Sequence, residues 1–557
     1  MKKTIKSSCF SLVLSFVITV SLVGVPAYAQ GDKTSEIDKI FSWSKTYEPG
    51  CAVAVSQNGK QIVNRAYGSA DIERDVQLSS NTIFDAGSVQ KQFVAASVLL
   101  LVEDGKLSLT EDIHKYIPEL PDYGQKITLD HLLTHTGGIR DWTGLGALTG
   151  RQVDALTLTL RQRGLDFAPG EEWSYSNSGF VLLKEIVART SGMSLDEFTR
   201  KRLFEPLGMK NTSYRTDLRE VVKNRALAYR KEKDGWRMDF GLGNDRGGGG
   251  AMLSTPSDLL IWNEALTTNR LGKFVTEKLQ EPAELNNDRK LGYARGLFIM
   301  ETNAGEKMVW HSGGAAGYST WLGRIPGRGL SVAVMCNVEP ISSTQLADRI
   351  IDQFLPPNGA ATTQAMPPIA AEGLDPAGLD LNSKAGLYFN ENTGEPLQLI
   401  VDRGRLRVAD GPALVAQSKD RFKRLGNALM FMSGDEFELR FRSPNELELK
   451  SMEGKTSRYR RAQKYAPTTD ELKAFTGRFT NDETRAFFEM SPGKEGLMIR
   501  LNDSRAFEFK PVDRDTFQLG GMILRFRRDK DGKIVGFDYS NPLVRNIKFT
   551  LLNECKS

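Results

Sequence analysis

The sequence predicts an α+β protein followed by two small antiparallel β-barrels, and three observations carry that prediction. Helical segments between residues 34 and 355 are bracketed at both ends by strand-like runs. A stretch rich in Pro, Ala and Gly, PPNGAATTQAMPPIAAEGLDPAG (356–378), then interrupts the chain. Beyond it come short alternating strands that repeat. At 557 residues the chain is too long for a single core. The expected division is a leader at 1–29, an α+β region at 30–355, a linker at 356–378, and barrel-like units at 379–465 and 466–557.

The elements follow in chain order. MKKTIK is a cationic start, CFSLVLSFVITVSLVG an apolar run, and AYA before Gln30 a small-residue cleavage site. That is a secretory leader cut after Ala29, so the expectation is a periplasmic or secreted protein. Cys9 opens the apolar run rather than following it, so no lipid anchor is read. Later apolar runs are too short or too interrupted to span a bilayer. A net charge of +5, spread along the chain, gives no nucleic-acid footprint.

SEIDKIFSWSK is an amphipathic helix, and Gln57-Asn58-Gly59 marks a hairpin between two strands. Three further runs, MVWHS, YSTWLGRI and LSVAVMC, close the region, so its sheet is built from both ends. Cys51 opens one strand and Cys336 ends another. Two readings stand open: a disulfide, if those strands are antiparallel neighbours in an oxidising compartment, or buried free thiols. In the last third, GLYFNENTGEPLQL from Gly386 matches GRFTNDETRAFFEM from Gly477. Asn390 falls against Asn481, Glu391 against Asp482, and Thr393 against Thr484; DRF and LRF in the first unit answer DTF and LRF in the second. Two related barrel-sized units are implied.

The strongest local anomaly lies in FDAGSVQKQFVAASVLLLVEDGK (84–106). Val89 to Val102 is apolar nearly all round, as in a buried helix, yet Lys91 sits in its first turn. Ser88 lies three residues earlier on the same face. A desolvated lysine loses affinity for its proton and can serve as a general base. Alone, this spacing equally fits a serine cap and a lysine reaching solvent. Two further places add weight. Tyr175-Ser176-Asn177 forms a turn before a helix that ends at Gly192, where a phenol and an amide can serve a serine and a lysine. His311-Ser312-Gly313 ends an apolar strand, where glycine lets a substrate backbone approach.

In order, SVQK, YSN and HSG resemble the signature of the serine hydrolases that include penicillin-binding proteins, class C β-lactamases, D-alanyl-D-alanine carboxypeptidases, D-aminopeptidases and related esterases. ITLDHLLTHTGGI (127–139), LFEPLGMKNTSY (203–214) and GGGGAMLSTPSDLLIW (247–262) match as well. The resemblance covers about residues 34–355. It implies a class C β-lactamase-like domain of helices around an antiparallel sheet. It makes Ser88 the nucleophile of an acyl-enzyme, Lys91 and Tyr175 the proton carriers, and Asn177 the group that positions Lys91 and substrate. The backbone N–H groups of Ser88 and Gly314 become the oxyanion hole, with Ser312 and Gly313 on the substrate-binding strand. It calls for no metal and no cofactor.

Other uses of the histidines are weaker. His131 and His135 have a zinc-compatible spacing, but Leu132 stands where a zinc protease carries its glutamate, so a structural role in that helix is expected. A Ser-His-Asp triad would need His311 as base; the family pattern puts a cationic or hydrogen-bonding group there instead. His114 reads as a surface residue.

The H-x-G form lowers the weight of a β-lactamase and raises that of D-aminopeptidases and carboxypeptidases. In one carboxypeptidase branch an arginine roughly thirteen residues before this histidine binds the substrate carboxylate. Phe298 occupies that place here, with Arg295 nearby but shifted. The paired barrels resemble those of D-aminopeptidases in architecture. The expected partners are a small-molecule or peptide substrate, including cell-wall peptide. The alternatives are a carboxylesterase, a weak β-lactamase, or a non-enzymatic penicillin-binding or cell-wall-binding receptor.

Overall fold

The computed structural model describes residues 33–552 except 150–152, 218, 240–249, 303–304, 356–377, 392–393, 403, 410–412, 425–436, 452–455 and 464. The leader at 1–29 and all but the last residue of the linker at 356–378 lie outside the described residues. Among the described residues, no helix is long and apolar enough to cross a membrane.

A six-stranded antiparallel sheet organises the first region. Its strands are β1 (Cys51–Gln57), β2 (Lys60–Tyr67), β3 (Phe298–Glu301), β4 (Lys307–Ala315), β5 (Tyr318–Ile325) and β6 (Leu330–Cys336), in the order β3-β4-β5-β6-β1-β2. The sheet thus joins the two ends of the region, as the strand-like runs predict. Asn58 and Gly59 both take positive φ, 49° and 75°, in the two-residue turn from β1 to β2, the geometry that suits the twist of paired strands.

Alternate residues of β1 serve two cores, because successive side chains leave a strand on opposite faces. Cys51, Val53 and Val55 pack with Ile37 and Ile40 of α1 (Lys33–Ile40). Ala52 and Ala54 face the larger core, to which α2 (Lys91–Glu103) also belongs. That core also takes in α3 (Asn177–Ser191) and α4 (Pro256–Thr267); α5 (Ser343–Asp352) returns to the α1 side. In α2 every residue from Lys91 to Leu101 is buried, which is why its sequence is apolar nearly all round.

Cys51 and Cys336 stand directly opposite each other on β1 and β6 and form a disulfide. The bond staples the first strand of the sheet to the last across 285 positions of sequence.

The last third forms two eight-stranded antiparallel units. The second, from Gly477–Asn481 to Val544–Leu551, is a closed barrel. The first, from Gly386–Asn390 to Thr456–Arg461, follows the same strand order, and an isolated bridge joins Arg407 of one end strand to Ala413, two residues before the other. The sequence repeat maps strand onto strand. Each unit opens with a strand ending in the matched asparagine, and the LRF triplets lie in Phe437–Ser443 and Met522–Arg528. In the second unit Asn481 Oδ1 accepts from Thr484 N and Thr484 Oγ1, both at 2.7 Å, and its Nδ2 donates to Lys548 O at 2.9 Å; Thr393, matched to Thr484 in the first unit, lies outside the described residues. The Asn481 side chain closes the hairpin where the backbone ladder stops.

An unreduced peptide map is expected to carry the Cys51–Cys336 link, and a map with both thiols free would overturn it. Replacing both cysteines by alanine is expected to cost about 2–5 kcal/mol in denaturant unfolding, because the link constrains a long stretch of the unfolded chain.

Candidate active site

The site begins where a short strand (Phe84–Asp85) turns into α2 through one 3-10 turn, Gly87–Gln90. Asp85 Oδ1 accepts from Gly87 N at 2.8 Å and holds the turn. Gly87 has φ +51°, and a Cβ there would meet Gly314 N at 2.8 Å. From the other side, a Cβ on Gly313 would fall 2.1 Å from Ala86 O and 2.9 Å from Ser88 N. The turn and β4 therefore press backbone to backbone. Gly313 of HSGG is required by that approach, which brings the backbone N–H groups of Ser88 and Gly314 to the same end of the site.

Lys91 is 4% exposed. Its Nζ lies 3.2 Å from Ser88 Oγ and donates to Asn177 Oδ1 at 2.9 Å. The amine also sits over the rings of Tyr175 and Phe180, 4.7 and 5.4 Å from their centroids. Loss of solvation brings its pKa from 10.5 down to about 7; the Asp141 carboxylate opposes the drop and the second buried amine, Lys184, adds to it. Burial drives the Tyr175 phenol the other way, well above its usual range, only partly offset by a hydrogen bond with Ser88.

Asn177 owes its place to the start of α3. Ser176 caps the helix by accepting from Gly179 N at 3.2 Å. Buried Asp141 accepts from Asn177 N. Asp141 also caps the short helix Trp142–Gly146, so one carboxylate ties two helix starts together.

His311 is fully buried on β4. Its Nδ1 lies 2.5 Å from Ser312 O and its Nε2 lies 3.4 Å from Tyr293 Oη. Burial, with Lys91 nearby, takes its pKa from 6.5 down to about 3, so the ring is neutral. A strand carbonyl stands where a triad would place an aspartate.

The structure thus brings Ser88, Lys91, Tyr175, Asn177 and His311 together, with Ser312, Gly313 and Gly314 alongside. It adds two residues that the sequence did not single out for the site, His135 and Tyr293. His135 Nε2 lies 3.0 Å from Tyr293 Oη, and its ring is 4.3 Å from that of Tyr175. His131, by contrast, turns back to its own helix, where Nδ1 accepts from Thr128 N at 3.2 Å. The two histidines of HLLTH therefore face different partners, and the helix-only role expected for His135 is corrected. Its signal was the turn THTGG, a histidine between threonines and two glycines. His114 is half-buried rather than on the surface, with Nδ1 2.7 Å from Asp112 Oδ1 and Nε2 3.0 Å from Pro121 O.

Arg295 is 5% exposed and committed elsewhere. It donates to Asp130 at 2.6 and 2.9 Å and to Glu281 at 3.1 Å. Phe298 stacks on Trp310, with ring centroids 4.9 Å apart, and lies 5.3 Å from the His311 ring. An aromatic wall stands where one carboxypeptidase branch is expected to carry its arginine.

The last barrel docks on the shoulder of the site. Leu145, Leu148 and Leu158 share the barrel's own core with Phe475, Phe479 and Phe549. Asn541 Nδ2 donates to Gly144 O at 2.9 Å and Asn502 Nδ2 to Leu148 O at 2.8 Å. Arg545 joins three parts of the chain: its backbone N donates to Asp166 Oδ1 at 3.1 Å and its guanidinium reaches Glu172 at 3.0 Å and Glu395 at 3.3 Å.

Comparison with known proteins agrees with this arrangement. The beta-lactamase family model matches residues 42–355. Penicillin-binding protein 4* of Bacillus subtilis is 29% identical over 294 residues, which span 48% of this chain and 64% of that relative, less than two thirds of its length. Among solved structures, the octameric penicillin-binding protein homologue from Pyrococcus abyssi superposes with a TM-score of 0.51 at 23% identity, over 77% of this chain and 99% of that one. The D-amino acid amidase from Ochrobactrum anthropi SV3 superposes with a TM-score of 0.50 at 23% identity, over 58% and 99%. At that identity both are likenesses of fold.

Because a methyl at position 313 collides with the Ser88 turn, Gly313→Ala is expected to destabilise the chain by about 1–3 kcal/mol and to slow any covalent labelling of Ser88. Thermal melts and labelling rates check this; wild-type values for both would contradict the packing.

Proposed function

This chain belongs to the beta-lactamase family, and from that premise we propose that it is an exported serine hydrolase that opens small amides and esters through an acyl-enzyme on Ser88, with D-amino-acid peptides and amides as its preferred substrates. One observation carries the reading: a buried amine, Lys91, stands between the Ser88 hydroxyl and the Asn177 amide oxygen, at 3.2 and 2.9 Å.

The chemistry follows from the two buried groups. With a pKa near 7, Lys91 is largely neutral just above neutral pH and can take the Ser88 proton. Tyr175 is held as a phenol by burial, so it is a proton donor rather than a phenolate base. Ser88 Oγ attacks the substrate carbonyl, and the backbone N–H groups of Ser88 and Gly314 receive the oxyanion. One such donor is typically worth about 3–4 kcal/mol of barrier. Collapse expels the amine or alkoxide, which takes a proton along the Tyr175–Lys91 side. Water then attacks the ester carbonyl and returns the proton to Ser88 Oγ.

The preference for D-amino-acid substrates draws support from the H-S-G motif and the paired barrels. The commitment of Arg295 to Asp130 and Glu281 argues against recognition of a substrate carboxylate by that arginine. The amidase of similar fold acts, by its name, on D-amino acid amides. Export draws its support from the leader-like first 29 residues.

The test is a panel of D-alanine p-nitroanilide, p-nitrophenyl acetate, a D-Ala-D-Ala peptide and a chromogenic cephalosporin, with wild type and Ser88→Ala. Turnover of the D-alanine anilide that vanishes in Ser88→Ala is expected; turnover surviving that change would sink the mechanism. Turnover of the acetate ester alone would favour an esterase, and stable penicillin labelling without turnover a receptor.

The pH profile is a second check. Lys91 must be neutral to accept a proton, so kcat/KM is expected to fall about tenfold per pH unit below about 7 and to level off above it. His311, held near 3, adds no limb in that range. A flat profile from pH 5 to 8 would contradict Lys91 as base.

A further inference from the structure

Four buried hydrogen bonds run in one direction across the floor of the site. Ser176 N donates to His135 Nδ1 at 3.0 Å. A backbone N–H can only donate, so Nδ1 is the acceptor. Burial holds His135 neutral, and its proton therefore sits on Nε2, which donates to Tyr293 Oη at 3.0 Å. At the other end a carbonyl can only accept, so His311 Nδ1 carries the proton that reaches Ser312 O at 2.5 Å. His311 Nε2 is then an acceptor, and Tyr293 Oη supplies its proton across 3.4 Å. The two backbone ends leave one consistent set of proton positions.

The ends matter for what they adjoin. Ser176 sits between Tyr175 and Asn177, and Ser312 precedes Gly313 and Gly314. His135, Tyr293 and His311 are 1%, 2% and 0% exposed. His135 also holds φ at +61°, a conformation uncommon for a residue with a side chain. Its backbone O accepts from Ser174 N at 3.0 Å, which fastens it to the same turn.

We propose that His135 and Tyr293 are positioning residues that brace the Tyr175–Asn177 turn against the Gly314 strand, by fixing His135 as the Nε2–H tautomer and His311 as the Nδ1–H tautomer. The proposal rests on the serine-hydrolase reading for its catalytic effect, but the tautomers stand or fall without it. The brace sets the distance between the Tyr175–Asn177 turn and the Gly314 N–H, which are far apart in sequence. Without the Tyr293 hydroxyl the two rings lose their connection, and the turn and the strand lose this brace between them.

The test combines an NMR readout with kinetics. The chain has four histidines, so 15N-histidine labelling with the variants as assignment controls can resolve His135 and His311. Opposite tautomers are expected, with the proton on Nε2 of His135 and on Nδ1 of His311. Tyr293→Phe keeps the ring and removes the link; His135→Asn keeps an acceptor for Ser176 N and tolerates the left-handed backbone. Each is expected to lower the Ser88 acylation rate about 10- to 100-fold, as lost supporting hydrogen bonds do elsewhere, with KM little changed. Because both act through one chain of bonds, the double variant is expected to be no slower than the worse single one. A proton on His135 Nδ1, additive losses in the double variant, or Tyr293→Phe that leaves acylation and the His311 signals unchanged would overturn the proposal. A wild type that never acylates Ser88, yet shows the two tautomers, would refute the hydrolase reading while leaving the brace in place.

Discussion

An ammonium group taken out of water must lose its charge or be compensated, and the first region is arranged around that constraint at Lys91. The amine lies at the start of a helix whose next ten residues are buried, so little water reaches it. Asp141 is close enough to oppose the loss of the proton, Lys184 to promote it. The balance leaves the amine near the midpoint of its titration at neutral pH, where a group can both take and give back a proton. Placed one turn further along α2, the same lysine would face only apolar side chains, with neither a hydroxyl to activate nor an amide to hold it.

That arrangement needs its parts brought in from distant sequence, and the sheet does this. Ser88 and Lys91 come with α2, Asn177 with α3, and Gly314 with β4. Glycine at 87 and 313 lets the strand and the helix start touch backbone to backbone. A side chain on either residue would push the Ser88 turn and the Gly314 strand apart by the order of a methyl group. The Cys51–Cys336 bond joins β1 to β6; β6 flanks β5, and β5 flanks β4. Sheet geometry at the edge of the site is thus set partly by a covalent link made at its centre.

The sequence was legible wherever a residue's placement is written locally. Ser88 and Lys91 share one helical face, Tyr175 and Asn177 one turn, and His311 and Gly313 one strand, so short motifs exposed them. The hairpin, the two-ended sheet and the barrel repeat were legible for the same reason: each leaves a periodic or turn signal in a short window. His135 and Tyr293 were not. Tyr293 lies in an irregular stretch before β3, and nothing in its neighbours tells that its hydroxyl meets two histidines from separate elements. His135 was read with His131 because a four-residue spacing puts both on one helical face, but the helix ends at Leu133 and His135 already lies beyond it. Arg295 was misleading in a similar way: its partners, Asp130 and Glu281, are close in space and far in sequence. The pairing of Cys51 with Cys336 stayed open until strand order was known, since two cysteines on two strands say nothing of whether the strands are neighbours.

The last barrel shows most clearly what only tertiary structure reveals. Its sequence reads as a separate domain, with its own repeat and its own aromatic core. Yet Leu145, Leu148 and Leu158 of the first region belong to that core, and the helix that carries Leu145 is capped by Asp141, the carboxylate that also accepts from Asn177 N. Removing the barrel would expose three large apolar side chains, at roughly 1.5–3 kcal/mol each. It would also loosen the helix start that holds Asp141 toward Lys91. The barrel's Arg545 and Asn541 contact the first region at Gly144, Asp166 and Glu172, away from Ser88 and Lys91. The first region and the last barrel thus share one apolar core, although their sequences read as separate domains.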